Sequence, residues 1–316
     1  MPYRKEPADD RQKSSMKSHD DAPEAAAPSR GQWSSLLVSM RPKQWGKNLL
    51  VFAAPATGGV LGEPDMAARA LLAFVSFSLA AAGTYLINDV ADRSDDRAHP
   101  SKRFRPIAAG DLPVRKALVA ATVVIVAALA LAAAVRPALG AVVAAYVALT
   151  VAYTFVLRDF ALIDVGSIAG GFLLRAVAGG VATNVELSSW FLMVAGFGSL
   201  FMATGKRHAE YLDLGRLRGE HRRTLTRYTE SYLRYVQYSS STVAITAYAL
   251  WAFEGEAGGS LWSGLSVFPF VLGIFRYGML LDRGSGATPE DLVLSDAPLL
   301  VLGAAWALLV ALGVYL

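Results

Sequence analysis

The chain has 316 residues, 54% hydrophobic and 18% charged, with mean hydropathy +0.38. Soluble domains carry about 25% charged residues, so this is the composition of a membrane protein. The lack of cysteine excludes disulfides, thiolate metal sites and cysteine nucleophiles. The net charge of +4 gathers in loops between apolar segments, a pattern the positive-inside rule produces with no nucleic-acid partner.

Residues 1–32 are polar, rich in Ala, Pro, Asp, Lys and Ser and without periodicity, and read as a disordered cytoplasmic tail. No apolar run of a signal peptide follows the early basic residues. Residues 33–45 are amphipathic, with Trp33, Leu36, Leu37, Met40 and Trp45 suited to a helix lying in the membrane interface. A short first span covers 48–61. Further apolar segments at 67–88, 117–135, 138–157, 161–181, 188–205, 231–252, 260–281 and 297–316 each approach the roughly 20 residues that cross a bilayer, giving nine spans. The domain therefore runs over 33–316 as an all-α, polytopic membrane bundle.

Loop charge sets the orientation. Arg41, Lys43 and Lys47, the stretch from Arg93 to Lys116, Arg158, the stretch from Lys206 to Arg227, and Arg283 lie on one side. The other side has little beyond Arg69 and Arg136 against Glu63, Asp65, Glu186, Glu254 and Glu256. The N-terminus is thus expected in the cytoplasm, with long charged loops capping the cytoplasmic ends of spans two and six. That likeness between the two halves suggests two four-helix units arranged alike.

The densest chemistry follows span two, in Asn88-Asp89-Val90-Ala91-Asp92-Arg93-Ser94-Asp95-Asp96. On a continuing helix of about 3.6 residues per turn, Asn88, Asp89, Asp92, Asp95 and Asp96 fall within an arc of roughly 120°. Carboxylates so crowded repel unless a cation sits among them, and hard oxygen ligands point to Mg²⁺, with Mn²⁺ as its substitute, rather than zinc. The bland alternative is a solvated helix end. The basic loop behind it, His99-Pro100-Ser101-Lys102-Arg103-Phe104-Arg105-Pro106, strengthens the functional reading, because a metal with nearby Arg and Lys is how proteins hold a pyrophosphate.

After span six, Lys206, Glu210 and Asp213 share a helix face with Arg207 at its edge. Such a face binds phosphate through its cations and a metal or hydroxyls through its acids, or is merely a salt-bridged surface. His208 reads as structural. Tyr153, Arg158, Asp159 and Asp164 line a short cytoplasmic turn, where Tyr153 is also a fair interfacial-belt residue. Arg175 lies well inside span five at a cost of about 2.5–3.5 kcal/mol, so it is expected to face a polar cavity or a bundle carboxylate. No Walker loop, dinucleotide fingerprint, HExxH, GxSxG or zinc spacing is present.

Asn88-Asp89-x-x-Asp92-x-x-x-Asp96 resembles the NDxxDxxxD motif of the UbiA superfamily of membrane prenyltransferases. Over roughly residues 40–316 the nine spans and the loops after spans two and six look like that family. Its aromatic prenyltransferases carry a second aspartate-rich motif after span six, where this chain has Lys206-Arg207-His208-Ala209-Glu210. With Arg41-Pro42-Lys43-Gln44-Trp45-x-Lys47-Asn48 and the basic loop, this looks like the decaprenyl-phosphate phosphoribosyltransferase branch. That resemblance implies transfer of 5-phosphoribose from phosphoribosyl pyrophosphate (PRPP) to a polyprenyl phosphate, for the arabinose donor of the cell wall, at the cytoplasmic face of the plasma membrane. Asn88, Asp89, Asp92 and Asp96 would then hold Mg²⁺ on the pyrophosphate. Lys43, Lys47, Lys102, Arg103, Arg105, Arg158, Lys206 and Arg207 would contact phosphates, with Tyr153 and Glu210 completing the substrate site. An aromatic prenyltransferase is the rival within the enzymes. A transporter is the rival outside them, although it would set its charges near the midplane. A homo-oligomer stays open.

Overall fold

The computed structural model describes residues 31–213, 227–254, 260–282 and 289–316. The expected tail lies almost entirely outside the described residues, as do residues 214–226 of the loop after span six, and Glu256 and Arg283. Among the described residues all regular structure is helical. The α-helices are α1 (Gln32–Ser39), α2 (Ala53–Thr57), α3 (Pro64–Ala91), α4 (Arg93–Ala98), α5 (Pro106–Ala109), α6 (Val114–Val135) and α7 (Pro137–Phe155). They continue as α8 (Ile163–Thr183), α9 (Ser189–Asp213), α10 (Glu230–Glu254), α11 (Leu261–Asp282), α12 (Pro289–Ser295) and α13 (Ala297–Tyr315).

Six of these, α3, α6, α7, α8, α11 and α13, are long and apolar enough to cross a membrane. α3 and α8 are the central pair, with 61% and 56% of their most apolar stretches buried, against 17% for α6 and 11% for α13. The outer helices turn Val119, Val123 and Val126, or Val301 and Leu308, outward. Such faces suit lipid and nothing else. Small residues let the central helices close up. A Cβ at Gly179 of α8 would stand 1.8 Å from the Val51 carbonyl oxygen, so no side chain fits there. Around this crossing Val51, Phe77, Leu139, Val143, Tyr146, Ala178 and Ala182 form the main core. α3 packs along α6 much as α9 packs along α10, in keeping with two similarly arranged halves.

The first apolar segment is not one α-helix. Pro42–Phe52 is a 3₁₀ helix that passes into the single-turn α2. The interfacial helix is also shorter than expected, because Arg41 adopts a left-handed backbone (φ 53°, ψ 58°) and ends it before Trp45. Its apolar residues divide between two directions. Leu36 and Met40 pack on the cluster around Leu86 and Ile107, whereas Trp33 and Leu37 face outward.

Two arginines inside spans, Arg175 and Arg276, find different partners. Among the described residues Arg175 meets no carboxylate. Its Nε donates to Asn48 Oδ1 at 2.7 Å, Nη1 to Gly171 O at 2.7 Å and Nη2 to Tyr146 OH at 3.0 Å, with the Tyr146 ring 4.7 Å beneath it. Asn48 in turn donates to Ser78 Oγ at 3.0 Å. Neutral dipoles and a ring face thus replace the expected counter-ion, and tie the 3₁₀ segment to α3, α7 and α8. Arg276 of α11 instead forms a two-pronged pair with Asp296, at 3.2 and 2.7 Å, and Asp296 also accepts from Leu299 N to cap α13. One carboxylate therefore neutralises the span and begins the next helix.

Candidate active site

The site gathers where α3 ends, α7 ends, α8 begins and α9 ends. The helix does not run unbroken through the acidic stretch. α3 stops at Ala91, and Asp92 (φ −88°, ψ 5°) bridges to α4, with Asp96 N still donating to Asp92 O at 2.8 Å. This small break keeps Asp89, Asp92 and Asp96 together but leaves Asp95 exposed, beside Ser94. The motif spacing, not the whole acidic run, is what converges.

Each converging carboxylate carries a guanidinium. Asp89, 2% exposed, pairs with Arg41 and lies 3.4 Å from Arg105 Nη1. The same Arg105 nitrogen donates to Asp96 at 2.8 Å, and Arg158 Nη1 donates to Asp92. Burial works against the Arg158 charge, but the hydrogen bond and attraction of Asp92, with Asp159 and Asp95 behind it, prevail and raise its pKa above the ordinary arginine value. Asn88 Nδ2 donates to Asp92 at 2.9 Å and its oxygen accepts from Thr154 at 3.3 Å. Arg97 Nε, donating to Ala108 O at 2.9 Å, folds the basic loop back so that Arg105 reaches the cluster.

Three carboxylates and one amide form a hard oxygen set suited to Mg²⁺. In this arrangement they surround guanidinium groups, and no three acidic or histidine side chains among the described residues are grouped as a metal would hold them. The donor chemistry fits the ion; closing the set around it requires the arginines to give way.

The second cluster is built on Arg207, 1% exposed. Its Nε donates to Asp164 Oδ2 at 2.7 Å, Nη2 to Tyr153 OH at 2.9 Å and Nη1 to Glu210. Burial opposes its charge, yet Glu210, Tyr153 and Asp164 together raise its pKa well above that of a free arginine. Tyr228 OH donates to Asp164 Oδ1 at 2.8 Å and accepts from Leu162 N at 2.7 Å. Burial and Asp164 push its pKa upward, which keeps it a donor. Leu162, at φ 70° and ψ −48°, is the strained residue that this bond holds in place.

The helix through Lys206–Asp213 is as expected, but Arg207 is not at the edge of a solvated face. It is sealed beneath Glu210, so it positions neighbours rather than meeting solvent. The Asp213 side chain lies outside the described residues. Tyr153 and Thr154, adjacent in α7, face the two clusters and bring them together. The Tyr153 hydroxyl is thus turned to Arg207. Lys102 and Arg103 are exposed on the loop, with the Arg103 guanidinium over Phe104 at 4.9 Å. Lys43 is exposed, while Lys47 is half-buried and donates to Gln44 at 3.3 Å. Lys206 is half-buried on α9. Arg41, Thr154, Asp164 and Tyr228 belong to the site but were not singled out as site residues. Asp164 had a usable signal: a carboxylate just inside the mouth of an apolar run.

Comparison with known proteins places this geometry. A Mycolicibacterium smegmatis protein named decaprenyl-phosphate phosphoribosyltransferase is 42% identical over 300 residues, covering 91% of this chain and 94% of that one. The proteins of the same name from Mycobacterium tuberculosis and Corynebacterium glutamicum are 43% and 42% identical, over 86% and 89% of this chain and 91% and 87% of theirs. Among solved structures, a UbiA homolog from Archaeoglobus fulgidus bound to GPP and Mg²⁺ superposes with a TM-score of 0.67 at 19% identity, covering 89% of this chain and 99% of that one. A UbiA homolog from Aeropyrum pernix K1 gives 0.61 at 18%, over 81% and 96%. The UbiA prenyltransferase family profile matches residues 49–297, and the chain belongs to that family.

Proposed function

We propose that this protein transfers 5-phosphoribose from PRPP to decaprenyl phosphate or a similar polyprenyl phosphate, releasing pyrophosphate. The relatives at 42–43% identity carry that substrate class in their name, and they span nearly the whole of both chains. One observation carries the reading within the site itself. Both clusters pair their carboxylates with arginines, but Arg207 and Asp164 are sealed at 1% and 0% side-chain exposure, whereas Arg41, Arg105 and Arg158 keep 22–30%, so the Asn88–Asp96 set is the one whose arginines an entering metal-bound pyrophosphate can draw away. A donor with one pyrophosphate and a separate 5-phosphate, and an acceptor with another phosphate, load the rest of the site with anions. Basic residues suit that load better than a second acidic motif.

Mg²⁺ bound by Asn88, Asp89, Asp92 and Asp96 would supply charge neutralisation for the leaving pyrophosphate. The protein's own part is to position and to balance charge. Arg105 and Arg158, already oriented by Asp96 and Asp92, lie where they can hold the pyrophosphate oxygens. Lys43, Lys47, Lys102, Arg103 and Lys206 would take the 5-phosphate and the lipid phosphate. Glu210, which keeps 30% side-chain exposure beside Arg207, would bind the ribose hydroxyls. The ribose C1–O bond to pyrophosphate breaks with its electrons leaving on that oxygen. A phosphate oxygen of the lipid donates a lone pair to C1 from the opposite face, inverting the centre. A phosphate monoester is a competent nucleophile near neutral pH, so no general base is needed.

The site would face the cytoplasm of the plasma membrane, with the N-terminus on the same side and nine crossings in all. Two parallel incubations of purified protein test the substrate class. Labelled PRPP with prenyl phosphate is expected to yield labelled lipid, and prenyl diphosphate with 4-hydroxybenzoate is expected to yield none. The reverse pattern identifies an aromatic prenyltransferase.

A further inference from the structure

Arg41 occupies a backbone position that no ordinary side chain favours. It is left-handed at φ 53°, and it directly precedes Pro42, a location that biases a residue toward extended conformations. Arg41, Leu162 and Asn184 are the described non-glycine residues with positive φ. Of these Arg41 is the one whose side chain enters the acidic cluster. Its guanidinium lies 5.0 Å over the Tyr85 ring and pairs with Asp89. Asp89 is nearly sealed, at 3% side-chain exposure, whereas Arg41 retains 22%. The guanidinium thus stands between solvent and the carboxylate. Backbone strain at a residue whose side chain closes over a buried ligand atom is expected where the strain serves the site.

We propose that Arg41 is a pyrophosphate-binding residue that exchanges partners. Without ligand it is the counter-ion of Asp89; with ligand it passes to the pyrophosphate and leaves Asp89 to the metal. This rests on the reading of the Asn88–Asp96 set as the metal–pyrophosphate site. A cation that enters alone must displace guanidinium groups that already neutralise the carboxylates. A pyrophosphate that enters alone meets those carboxylates. Entering together, each relieves the other's cost, so metal and pyrophosphate bind cooperatively, and by linkage each raises the other's affinity by the same factor.

The test counts protein-bound Mn²⁺ by electron paramagnetic resonance on the purified full-length protein, with and without pyrophosphate, correcting for the complex formed in solution. Pyrophosphate is expected to tighten Mn²⁺ binding by about tenfold or more in the wild type, within the usual range of coupling between sites. Arg41→Gly suits the left-handed backbone, and Asp89 keeps Arg105 at 3.4 Å, so the variant is expected to fold with a lowered melting temperature. It should bind Mn²⁺ alone several-fold more tightly and lose most of the enhancement, because Asp89 has lost its nearer guanidinium and keeps only the longer contact to Arg105. Arg41→Lys, which keeps the charge, should retain part of the enhancement and guards against a folding defect in the glycine variant. If the wild type binds Mn²⁺ cooperatively with pyrophosphate and both variants match it, the exchange role of Arg41 is overturned while the metal site stands. If the wild type binds no Mn²⁺ even with pyrophosphate, the metal site and the exchange fall together.

Discussion

Arg207 offers the sharpest test of how the site is held together. Arg207→Met removes the guanidinium and approximates its volume, leaving Asp164 fully buried with Tyr228 as its remaining named partner. Removing one member of a buried ion pair costs about 3–5 kcal/mol, because the other charge is left uncompensated in a medium that solvates it poorly. At about 2–4 °C per kcal/mol for larger domains, the melting temperature in detergent should fall by about 6–20 °C. The double variant Arg207→Met with Asp164→Asn removes both charges, and Tyr228 can still donate to the amide oxygen. It should recover a substantial part of the loss and melt above Arg207→Met alone. The assay is thermal unfolding of the two single variants, the double variant and the wild type, in one detergent at one pH. A double variant no more stable than Arg207→Met would show that Asp164 is not left uncompensated, and would refute the account of this cluster as a buried ion pair.

Gly179→Ala places a methyl 1.8 Å from the Val51 carbonyl oxygen, which must push the 3₁₀ segment off α8. Stability should fall by about 1–3 kcal/mol, the usual cost of overpacking, and activity should fall with it because Arg41 directly precedes that segment and Lys47 lies within it. His208, beyond the apolar stretch 188–205, has its pKa lowered by burial and by Arg234, against the opposing influence of Glu230, Asp282 and Gln237. A folded pKa below the unfolded one means that the unfolded chain binds the extra proton. This contribution to stability is therefore complete above the ordinary histidine value of 6.5 and is lost as pH falls below it. His208→Gln should flatten melting temperature against pH between about 5 and 7, a window set by that ordinary value.

The six long apolar helices were legible in the sequence because a span needs a certain length of apolar residues. The convergence of Asn88, Asp89, Asp92 and Asp96 was legible for a related reason, since helical spacing returns them to one face. What escaped was set by partners distant in sequence. Nothing local told that Arg41 would reach Asp89 or that Arg158 would reach Asp92, 66 residues away. Arg207 reads in the sequence as a phosphate ligand at a helix edge, whereas Asp164 and Tyr153, from two other helices, take up its guanidinium. For Arg175 the sequence leaves a polar cavity and a bundle carboxylate both open, and an asparagine, a backbone carbonyl, a tyrosine hydroxyl and a ring face take the carboxylate's place. The 3₁₀ form of the first segment also left no mark, as its apolar pattern matches that of a short α-helix.

The central claim is that the Asn88–Asp96 set drives transfer of ribose phosphate to a membrane lipid phosphate. The most direct measurement is label recovered in the lipid phase after incubating purified protein with labelled PRPP, prenyl phosphate and Mg²⁺, for wild type and Asp92→Ala side by side. Wild type should transfer label in a Mg²⁺-dependent manner, and Asp92→Ala, folded but lacking one ligand and the partner of Arg158, should transfer essentially none. Undiminished transfer by Asp92→Ala would contradict the account.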